Sequence, residues 1–266
     1  MNLITKIGCA TTAFLFALAT PTLRAADAKP VFLYSRYFNA PGEARYLADG
    51  NYREVLQRLA KDFRVRTHDQ PLNVATLAGV NVVLIANPSD VAVSNQPAPH
   101  HVESQDIRAL TQFVQSGGAL IAMGNQENHN LETKDLNKLL LQFGLQFTNL
   151  YTDAKLLPLP KTTPIIGGLR WGYYTGNLLL TDASHPAKPH GLIMNDLTVK
   201  PAKGDRDQAG ALLAPAEPGQ GRVIVVTDAG WICDWAFDEK GVGGVALKGQ
   251  DNWEIFRKLS LWAAHR

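Results

Sequence analysis

The stretch VNVVLIA, residues 80–86, decides the fold class. It is apolar at nearly every position and rich in β-branched residues, whereas a strand with one face in water alternates apolar and polar residues. Continuous apolar runs of this length are typical of parallel strands that are buried on both faces. The stretch therefore predicts the centre of a parallel sheet.

Similar strands are predicted on both sides of this stretch in the sequence. Residues 119–123 (ALIAM) and 222–227 (RVIVVT) are apolar runs of the same type, so we expect all three runs to be adjacent or nearly adjacent central strands. Residues 30–35 (PVFLYS) and the weaker 63–67 predict two further strands.

Helix patterns lie between and after these strands. Four segments carry apolar residues at the three- and four-residue spacing of one helix face. Ser104 is expected to cap the second helix, while Gly117 and Gly118 end it and Gly144 ends the third. This alternation predicts a three-layer α/β fold with helices on both faces of a parallel sheet. The inner-face residues are Tyr52, Val55, Leu56, Leu59, Phe63; Ile107, Leu110, Phe113, Val114; Leu136, Leu139, Leu140, Phe143; and Ile255, Phe256, Leu259, Trp262.

The segment 151–221 has a different character. It holds eight of the fifteen prolines and shows no long helix pattern. Short apolar runs at 178–181, 191–194 and 211–214 stand among proline and glycine turns. We expect an irregular β-rich extension of the sheet edge, made of short antiparallel strands and loops, and not a separate domain.

The first 25 residues have the pattern of a secretory signal peptide. Lys6 supplies a positive start, residues 7–20 carry no charge, and small residues surround Ala25. We expect cleavage after Ala25, or alternatively after Ala28, and a single domain over residues 26–266 that is periplasmic or secreted. Cys233 would then be the one remaining cysteine, which excludes an intrachain disulfide.

The charge balance excludes some classes of partner. Removal of the signal segment takes away Lys6 and Arg24 and no acidic residue, so 24 basic residues stand against 24 acidic ones. Since the expected mature chain is near neutral and has no basic stripe, nucleic acid is not an expected partner. No later stretch has the roughly 18 consecutive apolar residues of a membrane span.

The order of four short motifs resembles a known superfamily. The motifs are VLIANP (83–88), SGGALIAMG (116–124), FG (143–144) and GRVIVVTDAGW (221–231). Together they resemble the class I glutamine amidotransferase-like superfamily, and more narrowly its DUF4350 and GIFT-type branch, which includes gliding-motility and intraflagellar-transport relatives. The resemblance covers about residues 30–150 and 210–235 and implies a flavodoxin-like fold.

The catalytic groups of that superfamily have no counterpart here. Its nucleophilic cysteine stands at a sharp turn between a strand and a helix, and the matching turn reads Gly124-Asn125-Gln126-Glu127, without Cys or Ser. Its His-x-Glu pair should follow a late strand, where this chain reads TDAGW at 227–231. We therefore expect no glutaminase activity.

Four loops are the candidate positions for a ligand site. In an open α/β sheet, ligands bind outside the carboxyl ends of the strands. These ends precede residues 35–39, 87–90, 125–129 and 228–234, and parallel strands direct them to one edge. The predicted ligand-binding residues are Asn87, Asn125, Glu127, His129, Asp228, Trp231 and Asp234.

Each of these loops also has a purely structural interpretation. Glu127 and His129 could perform acid–base chemistry or bind a metal, or they could form a polar turn before the next helix. Asp228 and Asp234 could accept hydrogen bonds from sugar hydroxyls while Trp231 covers a sugar face, or this segment could only close the end of the sheet. Cys233 is interpreted as a small buried residue.

No metal or cofactor is predicted. His100, His101 and Glu103 invite a metal hypothesis, but adjacent histidines in a loop point apart and rarely share one ion. Arg36 and Tyr37, after the first strand, could orient an anion, although Arg36 could equally pair with a surface acid.

Two functions remain open. The first is an exported, non-catalytic ligand-binding domain of the cell envelope, with a carbohydrate or another small polar molecule as its ligand and a protein partner also possible. The alternative is a hydrolase with a rebuilt acid/base site, in which Glu127, His129 and Asp228 are the catalytic candidates and Asp234 assists. Convergence of these four side chains on one pocket would favour the hydrolase.

Overall fold

A computed structural model of the chain describes residues 29–201, 207–237 and 247–266. The predicted signal segment lies outside the described residues. The fold is a mixed α/β fold with a mostly parallel central sheet. Its strands are β1 (Val31–Ser35), β2 (Arg64–His68), β3 (Val82–Ala86), β4 (Ala119–Met123), β5 (Leu145–Phe147), β6 (Thr152–Pro158), β7 (Arg170–Gly176), β8 (Leu179–Thr181), β9 (Ile193–Met194), β10 (Ala211–Ala216) and β11 (Arg222–Val226). Its α-helices are α1 (Arg53–Leu59), α2 (Val74–Leu77), α3 (Ser104–Gln115), α4 (Lys134–Leu140) and α5 (Asn252–Ala263).

The main sheet has a parallel half and an antiparallel half. Its strand order is β2-β1-β3-β4-β11-β10-β8-β5, with β9 paired to β10. The first five strands are parallel, and their order matches that of flavodoxin-like sheets. Ala119 pairs with Val82 on one side and with Arg222 on the other. The prediction that the three apolar runs are adjacent central strands is therefore confirmed.

The buried faces of this sheet contribute to two hydrophobic clusters. Along β1, Phe32 and Tyr34 belong to one cluster, and Val31 and Leu33 belong to the other, because successive side chains of a strand point to opposite faces. Helices α1 and α5 bury side chains in the first cluster, whereas α2, α3 and α4 bury theirs in the second. Burial of one such Phe or Leu stabilises the fold by about 2 kcal/mol.

Most helices agree with the sequence, but one boundary and the burial of one residue differ from the prediction. Gly117 and Gly144 adopt the left-handed conformation (φ 105° and 71°) that ends a helix. Ser104 is the first helical residue instead of the cap, because the backbone N–H of Glu103 already donates to Asp106 Oδ2 at 2.9 Å. Trp262 is only partly buried and lies against the Arg222 guanidinium, 4.5 Å from its ring centre.

The segment 151–221 departs from the expected sheet extension at one point. Strands β8, β9 and β10 extend the main sheet antiparallel, as predicted. Strands β6 and β7 instead form a separate two-stranded sheet. Side chains hold the edge of β7 where a third strand would pair: Asn252 Oδ1 accepts from Gly172 N at 2.8 Å, and Asp228 Oδ2 accepts from Tyr174 N at 2.8 Å.

This hairpin also approaches the main sheet closely. A Cβ atom on Gly176 would lie 1.6 Å from the backbone oxygen of Thr227, so only glycine fits where β7 reaches the end of β11. The hairpin therefore lies beside the carboxyl edge of the parallel strands. No helix in the described part of the chain has the length and apolar character needed to cross a membrane.

Candidate functional site

A cavity of about 510 Å³ opens at the carboxyl edge of the sheet. Four segments line it: the loop between β1 and α1, the turn after β4, the β6–β7 hairpin, and the turn after β11. Three of the predicted site residues, Asn125, His129 and Asp228, lie together on its wall. The rule that ligand sites lie at the carboxyl ends of parallel strands therefore agrees with the position of this cavity.

Three buried asparagines fix the strand ends beside the cavity. The Asn39 amide donates to the backbone oxygens of Ala86 and Asn87 at 3.1 and 2.9 Å. Asn87 in turn accepts from the Asn125 backbone N–H at 2.9 Å and donates to the His129 backbone oxygen at 3.0 Å. Asn87 itself does not line the cavity in the described chain, so its contribution is to position the turn that does.

Asn125 occupies the centre of the polar wall. Its amide nitrogen donates to the Tyr46 hydroxyl at 2.9 Å and lies 3.3 Å from His129 Nδ1. Its Oδ1 accepts from the Ala229 backbone N–H. This side chain therefore joins the ends of β4 and β11 and orients two further cavity residues. Cysteine, which the superfamily of the resemblance carries at this turn, has one weak S–H donor and could not make all of these bonds.

Asp228 is a buried carboxylate on the cavity wall. Its Oδ1 accepts from Gly230 N at 2.6 Å and its Oδ2 from Tyr174 N at 2.8 Å. Burial raises its pKa to about 7, although the backbone hydrogen bonds from Tyr174, Gly230, Thr175 and Trp231 act in the opposite direction. Asp228 is therefore poised to change charge near neutral pH.

Arg45, which lines the cavity, already forms an ion pair with Glu43. Arg45 donates to Glu43 through two nitrogens, at 2.9 Å to Oε1 and 2.7 Å to Oε2. Although burial acts to raise it, the pKa of Glu43 is held below its ordinary value by these hydrogen bonds. Burial, together with the nearby Arg45 charge, lowers the pKa of His129, so this imidazole is neutral at neutral pH.

Cys233 borders the same cavity but is not activated. Its side chain is fully buried, as predicted, and burial raises the pKa of its thiol well above the ordinary value, reinforced by Asp228 and Asp234. A thiol held protonated in this way is a poor nucleophile.

Besides Asn87, two further predicted site residues lie outside the cavity wall. Trp231 is fully buried in the core, where its ring packs edge-on against Trp171 and Phe256 at centroid distances of 5.6 and 5.8 Å. Asp234 accepts from the Glu54 backbone N–H at 2.8 Å, at the first turn of α1. Glu127 begins a short 3₁₀ helix, Glu127–His129, and only its backbone is described.

The other candidate residues have partners within the chain. Arg36 donates to the backbone oxygens of Arg45 and Glu43 at 2.9 and 3.1 Å, and thereby shapes the loop after β1. Tyr37 stacks on His100 with ring centres 4.3 Å apart. Neither arrangement is the predicted anion contact or surface ion pair.

One group has ligand atoms at metal-binding separations. Atoms of His101, Glu132 and Asp135 lie within 4.8 Å of one another. However, Glu132 accepts the backbone N–H groups of Asp135 and Leu136 at the start of α4, and Lys138 Nζ lies 2.6 Å from Asp135 Oδ1. The carboxylate oxygens of Glu132 and Asp135 are therefore already engaged by hydrogen bonds within the chain.

Sequence reasoning missed the aromatic part of the cavity. Tyr46, Tyr174 and Trp235 all line it, and Tyr174 and Trp235 meet at 4.7 Å with their planes 87° apart. Tyr174 belongs to the run WGYYTG at 171–176, whose density of aromatic residues was the available signal. That signal was obscured because the run lies in the proline-rich segment, remote in sequence from the parallel strands.

Comparisons with known proteins identify a shared fold and no family. No family model matches the chain, and no curated protein matches it in sequence. Solved structures do match. The mmIFT52 N-terminal domain superposes with a TM-score of 0.64 at 14% identity, over 89% of this chain and 98% of that one.

Two bacterial structures match more loosely. A cytoplasmic protein of Salmonella typhimurium, STM3548, gives a TM-score of 0.52 at 11% identity, over 88% of this chain and 98% of that one. A β-galactosidase from Rahnella sp. R3 gives 0.51 at 12% identity, with 88% of this chain covering 31% of the enzyme. At these identities the similarities establish the fold alone.

Proposed function

We propose that this protein is a non-catalytic ligand-binding domain whose site is the cavity at the carboxyl edge of the sheet. The observation that carries the proposal is the position of Asp228, a fully buried carboxylate that lies on a cavity of about 510 Å³ instead of being sealed within the core. Burial of a charge without a paired cation is costly, so such a group is retained more readily where it serves a ligand.

The size and composition of the cavity suit a small molecule. Pockets for small ligands are typically about 300–1,000 Å³, mainly apolar, with a few polar groups that fix orientation. Here Tyr46, Tyr174 and Trp235 supply the apolar surface, while Asn125 and Asp228 supply the polar groups. A carbohydrate and other small polar molecules all remain within this class.

The alternative, a hydrolase with a rebuilt acid/base site, has weaker support. His129 and Asp228 share the cavity and have shifted pKa values, which favours it. Asp234 is engaged at α1, however, and each Asp228 oxygen already accepts a backbone hydrogen bond, which leaves fewer lone pairs to accept a proton from an incoming water. The turn after β4 also lacks a nucleophile.

The broader setting is also a proposal. The parallel strand order and the similarity to the mmIFT52 N-terminal domain support a three-layer flavodoxin-like arrangement within the class I glutamine amidotransferase-like superfamily, DUF4350/GIFT-type branch. The N-terminal charge pattern supports export to the periplasm or beyond after cleavage at Ala25. N-terminal sequencing of the protein from an envelope fraction would test export, and recovery of chains starting at Met1 in the cytoplasm would contradict it.

A thermal-shift screen tests the binding function. The purified protein is heated with neutral sugars, amino acids, organic amines and carboxylates, and any hit is repeated with His129→Ala, which alters the cavity wall, and with His190→Ala, an exposed histidine outside it. We expect at least one class to raise the melting temperature, with the increase reduced by His129→Ala only. Equal effects of both substitutions would place the site elsewhere.

A further inference from the structure

We propose that the ligand of this cavity is an organic cation, and specifically a small molecule that carries a methylated or quaternary ammonium group. This inference rests on the proposed function, because it concerns the same cavity. It follows from the arrangement of aromatic rings, from the charges on the wall, and from the way in which the Asp228 oxygens are already used.

Three aromatic side chains line the cavity, and two of them pack edge to face. Tyr174 and Trp235 stand nearly perpendicular, at 87°, with ring centres 4.7 Å apart, and Tyr46 lines the same space. We call these three residues the aromatic box. Cations are attracted to the faces of such rings, and aromatic boxes are a recurrent means of binding quaternary ammonium groups.

Asp228 lies directly beside this box. A Cβ atom on Gly230 would be 3.1 Å from the Trp235 ring and 3.2 Å from Asp228 Oδ1, so both groups approach the same point from different sides. A cation in the box would therefore be close to the carboxylate as well as to the indole.

The charges on the wall favour a cation over an anion. The Asp228 carboxylate lines the cavity, and backbone N–H groups donate its hydrogen bonds. Arg45 is the one lysine or arginine among the described lining residues, and its charge is offset by the two-point contact with Glu43. His129 adds no positive charge at neutral pH, because burial lowers its pKa.

The hydrogen bonds of Asp228 distinguish an ammonium ligand from a sugar. A carboxylate offers about four lone-pair sites. Backbone N–H groups of Tyr174 and Gly230 occupy two of them at 2.8 and 2.6 Å, and those of Thr175 and Trp231 also act on this carboxylate. A sugar hydroxyl needs an open lone pair, whereas an ammonium group without N–H needs only the negative potential and the ring faces.

Binding of such a cation should depend on pH. The cation favours the ionised form of Asp228, whose pKa burial raises to about 7, so affinity should decline about tenfold for each pH unit below that value. Burial raises the pKa of three nearby tyrosines and of the Cys233 thiol, so these groups stay neutral near pH 7, and it lowers the pKa of His129. These groups are Tyr46 in the loop after β1, Tyr52 before α1, Tyr173 on β7, Cys233 after β11 and His129 after β4, while Arg45 keeps its positive charge because its hydrogen bond to Glu43 raises its pKa.

Calorimetric titration with two isosteric probes tests the proposal. Choline is compared with 3,3-dimethylbutan-1-ol, in which carbon replaces the charged nitrogen. We expect choline to bind about tenfold or more tightly than the alcohol at pH 8, and to lose about tenfold in affinity between pH 6 and pH 5. Asp228→Asn should abolish both the preference and the pH dependence.

A second pair of variants covers the case in which Asp228→Asn fails to fold. Trp235→Leu removes one wall of the box, whereas Trp262→Leu changes a partly buried tryptophan that lies on Arg222, away from the cavity. We expect only the first to weaken choline binding. Equal affinity for the two probes, or choline affinity that is the same at pH 5 and pH 8, would overturn the proposal. Binding of neutral sugars without choline would overturn it too but would leave the proposed function standing, while binding of neither class at this cavity would contradict both.

Discussion

Two aspartates in different regions of this protein are held in opposite ways. At the carboxyl edge, Asp228 accepts backbone hydrogen bonds and faces a cavity. In the β-rich segment, Asp207 contacts the fully buried ammonium group of Lys155, which also donates to the Val199 backbone oxygen at 2.7 Å. We call the second group, with Thr152 and Asn195 bonded to the same carboxylate, the Lys155 cluster.

The two aspartates consequently titrate in opposite directions. Although burial acts to raise it, the pKa of Asp207 is held below its ordinary value by hydrogen bonds from Lys155, Thr152 and Asn195. Burial dominates at Asp228 and raises its pKa to about 7. We interpret a carboxylate with a built-in counter-ion as part of the scaffold, and Asp228, which has no ion pair with any described residue and borders a cavity, as available to a ligand.

The largest expected effect is on stability in the Lys155 cluster. Asp207→Ala leaves the Lys155 ammonium buried without its counter-ion, which should lower the free energy of unfolding by about 3–5 kcal/mol. Asp196→Ala, an exposed aspartate in the same segment whose carboxylate accepts from Thr198, is the matched control and should cost less than about 1 kcal/mol. Urea unfolding measures both, and equal losses would show that the cluster is not a structural ion pair.

The next effect is a pH dependence that belongs to Asp228. Between about pH 4 and pH 7 the unfolded chain releases this proton while the folded protein retains it, so stability falls as pH rises, by up to about 1.4 kcal/mol per unit, and levels off above pH 7. Asp228→Asn removes this contribution. The stability of the variant relative to wild type should therefore rise by roughly 2–3 kcal/mol between pH 5 and pH 7. A constant difference across this range would contradict the raised pKa.

A smaller effect is expected at the asparagine that positions the turn after β4. Asn87→Ala removes the bonds to Asn125 and His129 and places alanine at a φ of 44°, so we expect a loss of about 2 kcal/mol. Asn87→Gly removes the same bonds but tolerates the backbone conformation, and should cost less. If the glycine variant is as unstable as the alanine variant, backbone strain makes no contribution there.

The last prediction is that the protein shows no glutaminase activity. Because Asn125 or Gln126 stands where the superfamily of the resemblance has its nucleophile, and Asn125 makes structural bonds there, ammonia release from glutamine by the purified protein should not exceed background. Cys233→Ala should leave that result unchanged, since the thiol is buried and protonated. Ammonia release that disappears on this substitution would show that Cys233 is reactive.

The parallel half of the fold was predictable because its signals are local. The apolar runs at β3, β4 and β11 report burial on both faces, and their polar ends indicate the carboxyl edge where Asn125 and Asp228 meet. The β6–β7 hairpin was not predictable in the same way. Its edge is held by side chains remote in sequence, Asp228 and Asn252, and no periodic pattern encodes such contacts.

The candidate site likewise contains some residues that local sequence signals indicate and others that only tertiary packing brings there. Asp228 and His129 were found because they follow predicted strands, whereas Tyr174 and Trp235 reach the cavity only through tertiary packing. Trp231 illustrates the reverse case. Its position among acids is compatible with a binding face, but the packing of Trp171 and Phe256 around it places it in the core.

The most direct test of the account is to locate the ligand site itself by NMR. Amide chemical shifts of the ¹⁵N-labelled protein are recorded while choline, glucose and glycine are titrated separately at pH 8. The account predicts that at least one of these probes shifts the amides of Asn125, Thr175 and Gly230, which surround the cavity, and leaves that of Asn195 in the Lys155 cluster unchanged. Saturable shifts confined to any other surface, with the cavity amides unmoved, would contradict it.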